Sequence, residues 1–253
     1  MNDPKVVVRS LVSEQEWQTR VDLAALYRAV AHYRWDDLIF THLSAKIPGS
    51  DDFLINPFGL MFDEITASSL VKVNIEGDVL LDSGYGANKA GFNIHSAVHS
   101  GRSDVGCVMH LHTNCGSAVS ALKDGLLPLD QTAEIIFNDV AYHEYEGASL
   151  NAEERVRLQA DLGEKNTMIL RNHGTLSVGR TIAEAFLRMY FLERACEHQV
   201  NALSMGREIQ LPSRDTLSFN ATLDHRFFRE VSQELLWPAL RRKLDRMDPG
   251  YAC

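Results

Sequence analysis

A layered α/β/α sandwich, with a central sheet that is at least partly antiparallel, is what this sequence predicts, and three observations predict it. Strand-patterned and helix-patterned segments alternate along the chain. The early strands are separated by turn clusters too short for crossovers, so those strands form hairpins. The 253 residues carry neither an internal repeat nor a low-complexity linker, so one core serves the whole chain. Residues 1–253 are therefore read as a single domain, with 1–12 expected to be a flexible N-terminus and 206–223 a loop before a C-terminal helix.

The elements follow from local pattern. From Ser13 to Tyr33 apolar residues recur at helical spacing (Trp17, Val21, Ala24, Tyr27, Ala31), and Ser13 with Glu16 makes a capping box. Leu38 to Ile47, Asp52 to Asn56 and Leu70 to Leu81 are rich in β-branched and large apolar residues. Pro48-Gly49-Ser50, Pro57-Phe58-Gly59 and Glu76-Gly77-Asp78 punctuate them as turns, which gives a meander. Ala90 to Gly101 reads as helix, Asp104 to Thr113 as strand, and Gly116 to Lys123 as helix. Val140 to Tyr145 is a strand, Asn151 to Leu162 a charged helix with Asn151 at its cap, and Thr167 to Val178 two strands hinged near His173-Gly174. Thr181 caps a long helix to about Met205, whose wide apolar surface suggests core packing and, for some of it, a neighbouring subunit. Asp224 is expected to open a last helix, which Pro238 should kink or break before Arg241-Arg242-Lys243.

Composition excludes several functions. A formal charge of −9 with no basic run repels a phosphate backbone, so nucleic acid is not an expected partner. Hydrophobic residues make up 45% and charged residues 23%, near the globular average. The start of the chain lacks the basic and apolar regions of a secretory signal, and no stretch of about 18 apolar residues appears, so a cytoplasmic protein without a membrane partner is expected. Cys107, Cys115, Cys196 and Cys253 stand singly, which suits reduced and mostly buried thiols rather than disulfides or a CxxC metal site.

One constellation carries chemistry. In His110-Leu111-His112 the alternation of a strand turns both imidazoles to one face, where they can chelate an ion. A third nitrogen could come from His173, where Gly174 would permit a close approach, and three histidines with an open position suit a catalytic site. His42, His95, His99 and His143 are further candidates, and spacing alone does not choose among them. Imidazole ligands accept Zn, Mn, Fe or Co.

The motifs resemble a family. Phe53-Leu54-Ile55-Asn56-Pro57-Phe58-Gly59, Thr66 to Val73, Ala90 to Ala97, Val108-Met109-His110-Leu111-His112-Thr113, Gly125 to Pro128 with Val140 to His143, and Ile169-Leu170-Arg171-Asn172-His173-Gly174 occur in the order of the class II aldolase/adducin family. The resemblance runs over roughly Asp37 to Leu203 and is strongest to the adducin branch. It implies an α/β/α sandwich around a mostly antiparallel sheet, one divalent ion per subunit held by His110, His112 and His173 (zinc first, with Mn, Fe or Co as alternatives), a small-molecule substrate, and a homotetramer with sites near subunit boundaries.

The chain also departs from that pattern. Family aldolases move a proton with a Glu four residues before the position of His95, and here that place is Gly91. A phosphate-binding Thr is replaced by Phe58, a Ser pair by Lys89-Ala90, and the Gly-Asn of the phosphate loop by Thr41-His42; a Tyr expected soon after Pro128 is missing. The expectation is a metal-dependent carbon–carbon lyase, aldolase or decarboxylase, acting on an unphosphorylated carbonyl or carboxylate. His42, His95, Glu134 and Tyr251 are the candidate catalytic residues, with a metal-bound water as another source of acid or base. A non-catalytic adducin-like scaffold and a non-haem iron oxygenase are the alternatives.

Overall fold

In a computed structural model, which describes residues 4–81, 84, 86, 89–147, 153–213, 215–217 and 226–253, an eight-stranded mixed sheet is covered by helices on both faces. The strands are β1 (His42–Lys46), β2 (Phe53–Ile55), β3 (Val71–Val73), β4 (Val79–Leu81), β5 (Cys107–Leu111), β6 (Val140–His143), β7 (Thr167–Leu170) and β8 (Gly174–Gly179). Their spatial order is β4-β3-β2-β1-β5-β8-β7-β6, and every pair is antiparallel except β6 with β7. The helices are α1 (Pro4–Leu11), α2 (Glu14–Tyr33), α3 (Lys89–Gly101), α4 (Asn114–Ser120), α5 (Gln131–Phe137), α6 (Glu154–Leu162), α7 (Ile182–Ser204), α8 (Arg226–Glu230) and α9 (Trp237–Met247).

Strand alternation sorts the side chains between the layers. Leu43 and Ala45 of β1, with Cys107, Met109 and Leu111 of β5, pack beneath α2, α7 and α9. Val108, Leu176 and Val178 pack on the other face with Ile94, Ala97 and Val98 of α3 and Leu158 and Leu162 of α6. His42, Ser44 and His110 belong by parity to this second face. Tyr27 of α2 ties β1 to β2: its buried oxygen accepts the Leu43 amide at 2.8 Å and the Asn56 amide at 3.2 Å.

Ser13 caps α2 and Thr181 caps α7, each accepting an amide three residues on, as the sequence predicts. Several expectations need correction. Pro4–Leu11, within the stretch expected to be flexible, forms a helix. The helix α5 was not foreseen; Asp130 caps it by accepting the Ala133 amide. Asn151 and Asp224, expected to open helices, lie outside the described residues. The wide apolar face of α7 is used within the chain by α2, α4 and α5, and Phe186, Met189, Leu192 and Cys196 are buried there. Pro238 does not break the last helix. A π-helical stretch, Val231–Leu236, precedes it and Pro238 falls in the first turn of α9, where its missing amide costs little. Cys107 and Cys196 are buried thiols, whereas Cys115 and Cys253 are only partly covered. No helix among the described residues is long and apolar enough to cross a membrane.

Candidate functional site

The end of β5 and the tight turn between β7 and β8 bring three histidines together. His110 and His112 emerge on the same face, and His173 enters from the turn after Asn172, which adopts a left-handed φ of 54°. Nitrogen atoms of the three rings all lie within 4.8 Å of one another. Gly174 is required by this turn, because a Cβ there would stand 2.3 Å from the carbonyl oxygen of Leu111 and 3.1 Å from the His112 ring.

The fit of this set to a cation follows from its hydrogen bonds. The Nδ1 atom of His110 lies 3.0 Å from the carbonyl oxygen of Thr175, and that of His112 lies 3.1 Å from Asp37 Oδ2. Since a carbonyl and a carboxylate can only accept, each Nδ1 carries a proton, and in the neutral ring, the form that binds metal, each Nε2 is a bare lone pair. Those two lone pairs face one another across 3.1 Å. Two acceptors so placed repel unless a cation lies between them, and the separation suits two bonds of about 2.1 Å to one ion. Burial holds His110 well below the usual histidine pKa, with His173 and His42 adding to the effect. Burial and then His112 bring His173 down to about 4. These two rings are neutral near pH 7, the state in which imidazole binds metal.

A second group of rings adjoins the first. His42 of β1 lies directly opposite His110 in the antiparallel register, with ring centroids 5.3 Å apart. Its Nδ1 is 3.2 Å from His95 Nε2; His95 Nδ1 is 2.5 Å from Ser44 Oγ, which is 2.8 Å from His99 Nε2. Gly91, His95 and His99 form one stripe of α3, at i, i+4 and i+8, laid over His42 and Ser44 of β1. A Cβ on Gly91 would stand 2.4 Å from His42 Cδ2. The space that a side chain at position 91 would need is therefore filled by the imidazole of His42.

Backbone strain concentrates here. Leu38 and Thr41 adopt φ values of 51° and 66°, and the buried Thr41 hydroxyl finds no hydrogen-bond partner. A glycine would adopt the Thr41 backbone without strain, whereas here a β-branched residue holds it.

The other candidates lie elsewhere. Tyr251 is fully buried in the layer of α2 and α9, and its hydroxyl is committed to Asp245 and, at 2.9 Å, to Arg241 Nε. Tyr251 thus anchors the chain end, where the Ala67 amide donates to its carbonyl at 2.8 Å. Glu134 sits on α5, buried rather than solvated, on a helix packed against α7, and is not one of the clustered ligands. His143 hydrogen-bonds Asp161 at 2.7 Å, lies 3.6 Å from Glu154 and is not one of the clustered ligands. Pattern did not reveal Asp37, which orients His112, or Ser44, which links two histidines. Ser44 shares the strand parity of His42, and that was the available signal.

The buried string has a measurable consequence. Burial, then Lys46, depresses the His99 pKa to about 3. An unfolded chain binds that proton near pH 6.5, so the ring's contribution to stability is complete above about 6.5 and is lost as pH falls. At pH 5 the loss is about 2 kcal/mol. Glu193, raised to about 7 by burial, acts with the opposite sign, its penalty being relieved over the same interval. The effect of His99 is therefore read by difference: in urea unfolding of metal-free protein, His99→Gln should lose about 2 kcal/mol less than the native chain between pH 7 and pH 5. Equal losses would show that the native fold does not hold the ring neutral.

The comparisons with known proteins agree with this architecture. Residues 21–200 match the family model described as "Class II Aldolase and Adducin N-terminal domain". A Caulobacter vibrioides protein whose name places it provisionally in aldolase class 2 is 56% identical over 250 residues, 98% of this chain and 97% of its own. The crystal structure of an aldolase II superfamily protein from Pseudomonas syringae superposes with a TM-score of 0.91 at 48% identity, covering 97% of this chain and 99% of that one. An L-fuculose 1-phosphate aldolase from Glaciozyma antarctica superposes with a TM-score of 0.79 at 29% identity, covering 94% and 92% of the two chains.

Proposed function

The chain belongs to the class II aldolase and adducin family, and from that premise we propose that it is a divalent-metal-dependent carbon–carbon lyase, of aldolase or decarboxylase type, acting on a small unphosphorylated carbonyl or carboxylate substrate. The observation that carries the reading is the pair of bare Nε2 atoms of His110 and His112 at 3.1 Å, with His173 beside them and His42 standing where the family's proton-transfer carboxylate would be.

His110, His112 and His173 would hold the ion, which when bound supplies Lewis-acid polarisation of a carbonyl oxygen and stabilises the electron-rich fragment left by bond cleavage. Zinc is the first candidate. The remaining work falls to the chain's own groups. His42 is the proton carrier, and the string behind it sets which way it works. If His99 Nε2–H donates to Ser44, Ser44 donates to His95 Nδ1, and His95 Nε2–H donates to His42 Nδ1, then the neutral His42 presents Nε2–H as a hydrogen-bond donor to a substrate oxygen. Reversing every bond in the string leaves His42 Nε2 bare and able to take a proton.

Phe58 and Thr41-His42, in place of the phosphate-binding residues, support an unphosphorylated substrate. The exposed Leu38 and Phe40 lie between Asp37, which holds His112, and His42, and support closure of the site by a neighbouring copy in a homotetramer. A cytoplasmic setting accords with the free cysteines.

The test is a panel of small hydroxy-keto acids and their phosphorylated counterparts offered to metal-reconstituted protein, with released aldehyde and carbon dioxide measured. Turnover of an unphosphorylated member that stops on chelation is expected. Ion binding with no turnover of any member would favour the scaffold, and oxygen uptake with iron but not zinc would favour an oxygenase. Preference for sugar phosphates would refute the substrate class.

A further inference from the structure

We propose that Glu193 is a positioning residue for the metal site, a carboxylate that clamps, from the opposite face of the sheet, the two chain segments bearing the histidines; the inference rests on the metal-site reading above.

The three rings lie on the face covered by α3, whereas Glu193 projects from α7 on the other face. Its Oε1 accepts the Thr175 hydroxyl at 2.6 Å, and its Oε2 accepts the Thr113 hydroxyl. Thr113 directly follows His112. Thr175 lies two residues after His173, and its carbonyl oxygen is the acceptor that orients His110. One carboxylate thus reaches the neighbour of one ligand, the turn of the second and the hydrogen-bond partner of the third. The direction of one bond is fixed: Thr113 Oγ1 already accepts the Gly116 amide at 3.0 Å, so its own proton is free for the carboxylate. The knot is tightly packed, since a Cβ on Gly116 would stand 2.6 Å from Thr113 Oγ1 and 3.0 Å from Glu193 Oε1.

Stability alone is a poor reason for this residue. Glu193 is 3% exposed; Glu197 on α7 opposes its charge, and the facing thiols of Cys196 on α7 and Cys115 on α4 are neutral and bring no compensating charge. A buried acid so placed costs free energy that an apolar residue would not. A cation on the far side of the strands, with the distance between β5 and β8 set to receive it, offsets that cost. Outer partners of this kind fix ligand geometry, and their loss weakens metal binding by about 10–100-fold.

Zinc titrated calorimetrically into chelator-stripped protein tests the clamp. The native chain should take up one ion, and Glu193→Ala should raise the dissociation constant about 10–100-fold at a temperature where its unfolding curve shows it folded. Glu193→Gln, which accepts from one threonine but not both, should fall between. A purely structural role would lower the melting temperature of the metal-free variant and leave its dissociation constant unchanged, and that result overturns the proposal. Should Glu193→Ala not fold, Thr175→Val decides by the same criterion, since it removes one arm of the clamp and keeps the shape. A native chain that takes up no ion sinks the metal-site reading and the clamp with it, whereas native uptake matched by the variants sinks only the clamp.

Discussion

Replacing both His110 and His112 by alanine should reduce bound metal from one ion per chain to below about a tenth, and abolish turnover, while the sheet remains folded. Two of three nitrogen donors are removed, and a single imidazole cannot hold a divalent ion against water. The fold should survive because the substitutions fall at the end of β5. His110 is buried, so its removal leaves a cavity worth about 1–3 kcal/mol, an amount a domain of this size tolerates. Metal analysis of protein purified without chelator, with far-ultraviolet circular dichroism as the folding control, reads both parts. A folded double variant that still carries a full complement of ion would mean that other residues are the ligands. Added zinc should raise the melting temperature of the native chain and leave that of the variant unmoved, because only a species binding the folded state stabilises it.

Replacing His42 by asparagine should lower kcat by about 10²–10⁴-fold, the usual worth of a positioned acid or base, with metal content unchanged. The companion variant is Gly91→Ala. Its methyl carbon would stand 2.4 Å from the His42 ring, a distance that real contacts do not allow, so the ring must move away from its place beside His110. Turnover should fall by at least about tenfold, while metal is retained. The exchange can also be run in reverse, since His42→Asn combined with Gly91→Glu puts a carboxylate into the vacated space and should recover part of the activity lost in the single variant. Full activity in Gly91→Ala would dismiss His42 as the proton carrier.

Much of this architecture was legible because it is written in local pattern. Ser13 and Thr181 announce their helices through a hydroxyl that accepts an amide one turn on, and the alternation around Leu111 places His110 and His112 on one face. The turn at His173 was readable from its glycine. What could not be read depends on pairing between distant strands. That His42 lies opposite His110 is a fact of register, and no periodicity in either segment contains it. Gly91 looked like the loss of a catalytic group; only the packing of α3 on β1 shows that another residue occupies its space. Asp37 and Glu193 were unreadable for a further reason, since a single carboxylate carries no spacing signal and acquires its role from partners many residues away. Tyr251 failed oppositely: the sequence placed a tyrosine near a terminus, and the fold gave its hydroxyl to Arg241 and Asp245.

The join between β1 and β5 divides the sheet into two contributions of unlike character. The three histidines proposed to hold the ion all come from beyond it, between Cys107 and Gly179, whereas Thr41-His42, Phe58, Lys89-Ala90 and Gly91 come before it. Apart from the tyrosine missing after Pro128, every departure from the aldolase pattern thus falls on one side. On the proposed function, ion binding and choice of reaction fall in separate stretches of chain, so the first can stay fixed while the second drifts. A chimera carrying residues 1–104 of a sugar-phosphate aldolase on the remainder of this chain would be expected to keep its metal and change its chemistry.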